Sequence, residues 1–197
     1  MTSRLIAGVD EAGRGPWAGP VVVAAVILNP DYQISGLDDS KKISIKKREL
    51  LYTQIIEKSR SYSCIFLNVP LIDRINILAA TKIGMQRAVT GLSIQPDEVM
   101  IDGRDAPKMP CTATTVIGGD ALIAEISAAS IVAKVMRDRY MERLHLKYPQ
   151  YNFASHKGYG TKVHKEAIEQ YGVLIHHRKS YAPIKKILHS NMTEAIQ

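Results

Sequence analysis

One segment near the start of the chain contains residue types suited to metal chemistry and to binding a polyanion. Asp10 and Glu11 directly follow an apolar run that predicts a buried strand. Because successive residues of a strand point to opposite faces, two adjacent carboxylates cannot both project the same way from regular β geometry. Gly13, Arg14 and Gly15 come next, and the two glycines leave the backbone bare for close approach of a ligand. The segment therefore predicts a metal site followed at once by a binding loop.

Two further aspartates stand where predicted strands end. Asp102 follows the apolar residues 99–101, and Asp120 follows a glycine pair after another predicted strand. Ligands collect at the carboxyl ends of strands in open α/β sheets, so we expect both side chains to converge with Asp10 and Glu11. Four clustered carboxylates would repel one another and raise one another's pKa unless cations lay among them. Oxygen ligands of this kind favour Mg²⁺ or Mn²⁺ over zinc.

Asp138 is an alternative to Asp120 for the fourth position. The two residues are 18 positions apart in one predicted helix, on the same face but roughly 27 Å apart along its axis. Only one of them can join the cluster if that helix is continuous. We favour Asp120, beside the glycine pair, and interpret Asp138, one turn after Lys134, as an ion-pairing residue.

A second glycine-flanked segment, 156–161, would present an aromatic side chain on a loop. Tyr159 lies between two glycines and close to Lys157, an arrangement that suits stacking on a base or sugar with a phosphate contact nearby. The alternative is a plain loop that enters the following helix. Ser40 and Lys41 precede the first predicted helix, a position that also favours phosphate contacts.

Composition narrows the class of protein. The chain has 197 residues, 46% of them hydrophobic, which suffices for one domain with a sizeable core. The longest uncharged apolar stretch is too short to span a bilayer, and no apolar signal region begins the chain. Cys64 and Cys111 lack ligand-like spacing, so we expect reduced structural thiols in a cytoplasmic protein. The net charge of +7 is compatible with a polyphosphate partner, and we expect a monomer.

Hydrophobic periodicity predicts a series of strands and helices. The predicted strands are 5–10, 21–28, 61–69, 98–102 and 112–117. The predicted helices are 45–58 with Ser44 as N-cap, 71–90, 121–148, 161–171 and 181–188. The first half of the helix 121–148 is apolar almost all round, which indicates an interior position. We therefore expect an α/β fold with a mixed β-sheet flanked by helices.

Seven short segments occur in an order that resembles one known family. They are DEAGRGPWAGPVV at 10–22, DDSKK at 38–42, IDG at 101–103, GGD at 118–120, AASIVAKVMRDR at 128–139, HKGYGT at 156–161 and HRKSYAP at 177–183. The set spans nearly the whole chain and resembles bacterial ribonuclease HII. The resemblance implies a ribonuclease H-like fold in a single catalytic domain, 1–197, including a small C-terminal helical extension from about residue 155.

The resemblance also implies an activity. It implies an endonuclease that cleaves the RNA strand of RNA–DNA hybrids and acts on single ribonucleotides embedded in duplex DNA, with a role in ribonucleotide removal. The products would be a 3′-hydroxyl and a 5′-phosphate. We expect two divalent ions, Mn²⁺ or Mg²⁺, about 4 Å apart at the scissile phosphate. Residues 190–197 show no obvious sliding-clamp motif, so the sequence does not support a clamp partner.

Motif positions carry the family's functional residues onto this sequence. The implied catalytic metal ligands are Asp10, Glu11, Asp102 and Asp120. The implied readers of the substrate are Gly13, Arg14 and Gly15 for the 2′-hydroxyl and Tyr159 for stacking at the ribose–deoxyribose junction. The implied phosphate contacts are Ser40, Lys41 and Lys157.

Two alternative functions stay open from the sequence. Another nuclease or an integrase of the ribonuclease H-like superfamily would share the carboxylates and lack the Gly-Arg-Gly reader. A catalytically silent nucleic-acid-binding module would fit the basic charge, but four bare carboxylates would repel the phosphates that such a module binds. Cleavage of a duplex with one embedded ribonucleotide, tested with and without divalent metal, separates the three.

Overall fold

The computed structural model describes residues 4–40 and 42–194, with side chains described as far as residue 190. The strands in this part of the chain are β1 Ile6–Ala12, β2 Val21–Ile27, β3 Ser61–Leu67, β4 Glu98–Asp102 and β5 Thr112–Val116. They form one sheet in the order β3-β2-β1-β4-β5, in which β1 is antiparallel to β2 and parallel to β4, and β4 is parallel to β5. The predicted mixed sheet is confirmed.

The helices follow the predicted order, with additions. They are α1 Ile45–Lys58, α2 Val69–Ile75, α3 Ile77–Thr90, α4 Gly119–Leu122, α5 Ala124–Lys147, α6 Phe153–His156, α7 Lys162–Tyr171 and α8 Ala182–Glu194, with a 3₁₀ turn at Pro149–Tyr151. Ser44 caps α1 as predicted, because its hydroxyl accepts a hydrogen bond from the backbone N–H of Lys47. Within the described residues, none of these helices has the length and apolar character needed to cross a membrane.

Two compact units make up the chain. The first unit takes the residues up to Ala12, Val22–Phe66 and Thr81–Met136. The second unit takes Gly13–Val21, Leu67–Ala80 and the residues from Arg137 onward. The first unit holds most of the sheet, and the second holds the glycine-rich loop after β1 together with the C-terminal helices.

The core of the first unit forms where β2, α1 and the first half of α5 pack together. Every residue of β2 is buried, as expected for an uninterrupted run of Val, Ile and Ala inside a sheet. The apolar first half of α5 is buried as predicted, through the residues Ala128, Ala129, Ile131, Val132 and Ala133. A Cβ on Gly8 would lie 2.0 Å from the backbone carbon of Glu125, so β1 reaches the start of α5 only because residue 8 is glycine.

Two long predicted helices are each broken. The predicted helix 71–90 divides at Asn76, whose backbone is left-handed at φ 65° and whose side chain caps α3 by accepting from the N–H of Ala79. The predicted helix 121–148 divides at Ile123, which is extended. The prediction of continuous helices was wrong at both points, because the apolar periodicity runs on through each break. Asp120 therefore lies in α4, outside the long helix that carries Asp138.

The core of the second unit is aromatic. Tyr151 and Phe153 are fully buried and stack with their ring planes 6° apart, and Met141, Ile168 and Ile184 complete the cluster. The 3₁₀ turn and α6 that carry these two rings were not predicted. Their sequence, Pro149 to His156, is too short for a helical period to be recognised.

Candidate active site

Three aspartates from separate parts of the first unit meet at one point. Asp10, Asp102 and Asp120 each offer one carboxylate oxygen, and these oxygens lie within 4.8 Å of one another. Asp10 comes from the middle of β1, Asp102 ends β4, and Asp120 lies in α4. Asp10 and Asp120 are buried, and Asp102 is half-buried. The predicted convergence is therefore present for these three side chains, although Asp10 does not end its strand as predicted, because β1 continues to Ala12.

The electrostatics of this cluster favour a bound cation. Burial raises the pKa of Asp10 well above its usual value, and the negative charges of Glu11 and then Asp102 raise it further. Two hydrogen bonds oppose this rise in pKa: one from the N–H of Glu11, 2.6 Å from Oδ1 of Asp10, and one with the Ser130 side chain. A divalent ion would replace the missing positive charge and keep the carboxylates ionised. The donor set, all carboxylate oxygen, is the one that Mg²⁺ and Mn²⁺ prefer.

A glycine pair fixes Asp120 beside Asp102. Gly118 is left-handed, at φ 67°, and turns the chain from β5 into α4. The N–H of Gly119 donates to Oδ1 of Asp102 over 2.8 Å, which ties the two aspartate-bearing segments together. A Cβ on Gly119 would lie 2.5 Å from the side chain of Ile126, so a larger residue would push α4 away.

Glu11 stands apart from the three clustered aspartates. Its side chain is not among the carboxylates that share the 4.8 Å cluster, and it follows Asp10 directly in β1, where alternate residues face opposite ways. Its charge nonetheless reaches the site, since it raises the pKa of Asp10. Asp138 is also outside the cluster, in agreement with our preference for Asp120.

In the second unit, Arg178 holds the Gly-Arg-Gly loop by its carbonyl groups. The guanidinium is fully buried and donates to the carbonyl oxygens of Gly13 at 2.6 Å, Arg14 at 2.8 Å and Gly19 at 2.9 Å. Burial lowers the pKa of Arg178, and the nearby Tyr181 opposes that effect. Five donors in a planar fork suit this group to gathering several carbonyls at once.

A second buried arginine lies against the same loop. A Cβ on Gly13 would lie 2.0 Å from Nε of Arg137, and Gly13 is left-handed at φ 98°, so only glycine fits there. Arg137 also donates to the carbonyl oxygens of Pro20 and Ala18, at 3.1 and 3.2 Å. Burial and the charge of Arg178 lower the pKa of Arg137 to about 10.

Tyr159 lies next to this loop within the second unit. Its side chain is 47% exposed, as predicted for a residue held out by flanking glycines. A Cβ on Gly15 would lie 3.6 Å from Cε1 of the Tyr159 ring, so the ring borders the bare backbone of Gly15. The carbonyl of Gly158 accepts a 2.8 Å hydrogen bond from the N–H of Trp17 and joins the two loops. Two of the predicted substrate-reading segments are therefore neighbours.

Comparison with known proteins decides the family. The family model described as ribonuclease HII matches residues 7–184. The ribonuclease HII of Vibrio parahaemolyticus is 56% identical over 185 residues, which cover 94% of this chain and 88% of that protein. This chain belongs to the ribonuclease HII family. As a member of that family it is a hydrolase of the ribonuclease H class, an endonuclease that acts on RNA–DNA hybrids and depends on divalent metal.

Solved structures of the ribonuclease H class share the fold. Ribonuclease H2 from Pyrococcus horikoshii matches with a TM-score of 0.80 and 29% identity over 93% of this chain and 96% of that one. Bst-RNase HIII, solved in complex with Mn²⁺, matches with a TM-score of 0.76 over 95% of this chain and 70% of that one. At 19% identity the second likeness concerns the fold alone. The predicted ribonuclease H-like architecture is confirmed.

The predicted phosphate contacts differ in their surroundings. Ser40 is buried, and its hydroxyl forms a 2.9 Å hydrogen bond with that of Ser130. The amino group of Lys157 lies 2.6 Å from Oε1 of Glu142, and its side chain is only 17% exposed. Lys41 lies outside the described residues. The roles of all three in ribonuclease HII chemistry stay predictions.

Ser130 and Arg178 each contact a residue that we predicted to be functional, but we predicted no role for either of them from the sequence. Ser130 interrupts the apolar half of α5 and hydrogen-bonds Asp10, and Arg178 adjoins His177 in the HRKSYAP segment. Both lie in segments that matched the family, yet their partners are far away in the sequence. A polar residue in an otherwise apolar helix face was the available signal for Ser130, since a buried hydroxyl needs a hydrogen-bond partner.

Proposed function

We propose that this chain cleaves RNA–DNA hybrids and also single ribonucleotides embedded in duplex DNA, and that it serves their removal from DNA. The cluster of Asp10, Asp102 and Asp120 is the observation that carries the proposal. Buried carboxylates crowded in this way make an oxygen-rich pocket with surplus negative charge, which suits divalent cations at a phosphodiester.

The three aspartates, with Glu11 at the margin, would hold two divalent ions. When bound, such ions supply charge neutralisation at the phosphate, a lowered pKa for the attacking water and stabilisation of the leaving oxygen. Mn²⁺ in the Bst-RNase HIII structure supports Mn²⁺ as one of the candidates, beside Mg²⁺.

The chain's own residues would fix the ligand geometry. A hydrogen bond with Ser130 orients the Asp10 carboxylate, and the N–H of Gly119 orients Asp102. In the overall reaction, water adds its oxygen to phosphorus and the bond from phosphorus to the O3′ of the preceding nucleotide breaks. The leaving oxygen takes a proton, so that the products are a 3′-hydroxyl and a 5′-phosphate.

Recognition of the ribose would come from the second unit. Gly13 and Gly15 lack side chains, so backbone groups can approach a 2′-hydroxyl closely, and Arg178 fixes the carbonyls of that loop. A site built to hydrogen-bond a hydroxyl can reject a substrate without it by about 10⁴-fold. The ring of Tyr159, beside Gly15, would stack on the sugar or base at the ribose–deoxyribose junction.

The charge distribution suits a duplex partner. By sequence, the first unit contains 13 Lys and Arg against 13 Asp and Glu, whereas the second contains 13 against 6. The whole basic excess of the chain therefore belongs to the second unit, which would supply most of the electrostatic attraction to phosphates. We further propose a monomer and a cytoplasmic location, and the two free cysteines support the location alone.

One cleavage assay tests the proposal. A labelled DNA duplex with a single ribonucleotide is incubated with the full chain and Mg²⁺, Mn²⁺ or EDTA, beside an all-DNA duplex of the same sequence. We expect one cut beside the ribonucleotide, leaving a 3′-hydroxyl and a 5′-phosphate, only with metal and only in the duplex that contains ribose. Cleavage of a uniform RNA–DNA hybrid without cleavage of the single-ribonucleotide duplex would reduce the function to that of a hybrid nuclease.

A further inference from the structure

The segment that carries Tyr159 is held in an unusual backbone conformation. Lys157 and Gly158 are consecutive left-handed residues, at φ 50° and 84°. A lysine in this conformation is strained and persists only where the surrounding structure holds it. Three buried histidines of the second unit, His156, His164 and His177, surround the segment.

Hydrogen-bond geometry assigns the protons of two of these rings. The N–H of Leu174 donates to Nδ1 of His177 over 2.8 Å, so that nitrogen carries no proton and the ring is neutral with its proton on Nε2. Nε2 of His177 lies 3.1 Å from Nε2 of His164, which must therefore accept. His164 then carries its proton on Nδ1 and donates it to the carbonyl oxygen of Tyr159 over 2.8 Å. A directed chain of hydrogen bonds ends on the backbone of Tyr159.

The third ring fixes the other end of the segment. The N–H of Gly158 donates to Nδ1 of His156 over 3.1 Å, so His156 carries its proton on Nε2 and donates it to the carbonyl of Tyr151 over 2.7 Å. The rings of His156 and His164 stack with centroids 4.4 Å apart. Phe153 packs edge-on against both rings and makes the surroundings apolar.

The surroundings keep these rings neutral. Burial lowers the pKa of His164 to about 4 and that of His177 to about 3. The charge of His156 would lower the pKa of His164 further, and the charge of His164 would lower that of His177. The hydrogen-bond directions therefore stay fixed at neutral pH.

We propose that His164 and His177 are positioning residues that set where Tyr159 stands at the ribose–deoxyribose junction. The proposal rests on the proposed function, because it concerns how Tyr159 is aimed. His164 fixes the carbonyl of Tyr159, and the ring of Tyr159 borders Gly15. Loss of the hydrogen bonds between His177, His164 and Tyr159 would therefore shift the tyrosine ring relative to the Gly-Arg-Gly loop. The metal cluster belongs to other residues, so the effect falls on substrate choice more than on the chemical step.

Proton positions can be measured without any substrate. Long-range ¹H–¹⁵N spectra of the full chain with labelled histidine, at pH 7.5, should show His177 protonated on Nε2 and His164 protonated on Nδ1. A His164 ring that carries its proton on Nε2, or a ring that is cationic, would overturn the proposal. This measurement also decides the matter if a variant fails to fold.

Kinetics of three variants test the positioning role. His164→Phe keeps the ring and removes both hydrogen bonds, and His164→Asn keeps a donor near the position of Nδ1. Phe153→Leu is the matched control, because it disturbs the same cluster without removing a hydrogen bond. We expect His164→Phe to lower kcat/KM on a single ribonucleotide about tenfold more than on a uniform RNA–DNA hybrid. His164→Asn should restore much of the kcat/KM on the single ribonucleotide.

Each outcome has a distinct meaning. Phe153→Leu should lower kcat/KM equally on both substrates. Equal losses from His164→Phe on both substrates would contradict the proposal and leave the proposed function standing. If the unmodified chain cuts the hybrid but not the single ribonucleotide, the proposed function fails, whereas the proton positions in the histidine chain can still be confirmed by the spectra.

Discussion

The two units of this chain bury charge in opposite ways. The first unit brings carboxylates together, and their burial and mutual repulsion raise the pKa of Asp10. A cation is needed to neutralise the negative charge of this cluster. The second unit buries Arg137 and Arg178, which also repel each other, but backbone carbonyls accept their hydrogen bonds. We therefore expect the first unit to bind metal, and the second holds its glycine-rich loop through buried arginines. Under the proposed function, this difference separates the groups that would perform the reaction from the groups that would recognise the substrate.

The largest expected effect comes from the first unit. Asp10→Asn removes a ligand charge at the centre of the cluster, and we expect cleavage of every substrate to fall by about 10³-fold or more. Binding of an RNA–DNA hybrid, measured by fluorescence anisotropy, should remain, because the basic excess lies in the second unit. Substantial residual cleavage with Mn²⁺ would count against the metal assignment.

Arg178 tests whether the second unit depends on its buried cation. Arg178→Gln would leave several buried carbonyls without donors, so we expect the free energy of unfolding to fall by about 3 kcal/mol. Lys179→Gln removes the same charge from an exposed neighbouring side chain and is the matched control. The free energy of unfolding of both variants is measured by urea unfolding. Similar losses in the two would show that charge alone, and not the carbonyl contacts, matters at this position.

Acid should destabilise the histidine cluster of the second unit. An unfolded histidine takes up a proton near pH 6.5, whereas folded His164 does so only near pH 4, so stability is complete above about pH 6.5 and is lost as the pH falls. For His164 this loss amounts to about 1.5 kcal/mol between pH 6.5 and 5. Urea unfolding at pH 6.5 and at pH 5 measures the free energy of unfolding of the unmodified chain and of His164→Phe. The difference between the two proteins should be smaller at pH 5 by the amount of this loss. A constant difference would mean that the pKa of His164 is the same in the folded and the unfolded chain.

Metal should stabilise the first unit. A divalent ion that binds only the folded chain adds about 1.4 kcal/mol of stability at ten times its Kd. We expect Mn²⁺ to raise Tm by a few degrees relative to EDTA, and Asp10→Asn to abolish the rise. In EDTA, Asp10→Asn should itself raise Tm, since it removes a buried, repelled carboxylate. A lower Tm for this variant in EDTA would contradict the electrostatic description of the cluster.

The sequence predicted the first unit better than the second. The strands, the cap at Ser44 and the convergence of the aspartates follow from local periodicity and from the position of residues at strand ends. The break at Ile123 was missed, because an apolar residue gives no stop signal. It arises from a distant contact, the hydrogen bond from Gly119 to Asp102, which anchors α4 to β4.

The hydrogen-bond networks of the second unit could not be predicted. Arg178 contacts the loop of Gly13 from 165 positions away, and no spacing rule links residues so distant. His164 and His177 are only 13 positions apart, yet their contact depends on how α7 and the turn after it pack. Exposure of Tyr159 was predictable, because flanking glycines are a local signal. The contacts that hold Tyr159 in place were not predictable from the sequence.

The ratio of kcat/KM for a single embedded ribonucleotide to kcat/KM for a uniform RNA–DNA hybrid, measured for Tyr159→Ala, tests the separation of roles most directly. Tyr171→Ala, which truncates another half-exposed tyrosine of the second unit, is the control. Stacking on an aromatic ring is worth about 1–3 kcal/mol per base, so we expect the ratio to fall about tenfold while hybrid cleavage is largely retained. An equal loss on both substrates, with the ratio unchanged, would contradict this separation of roles.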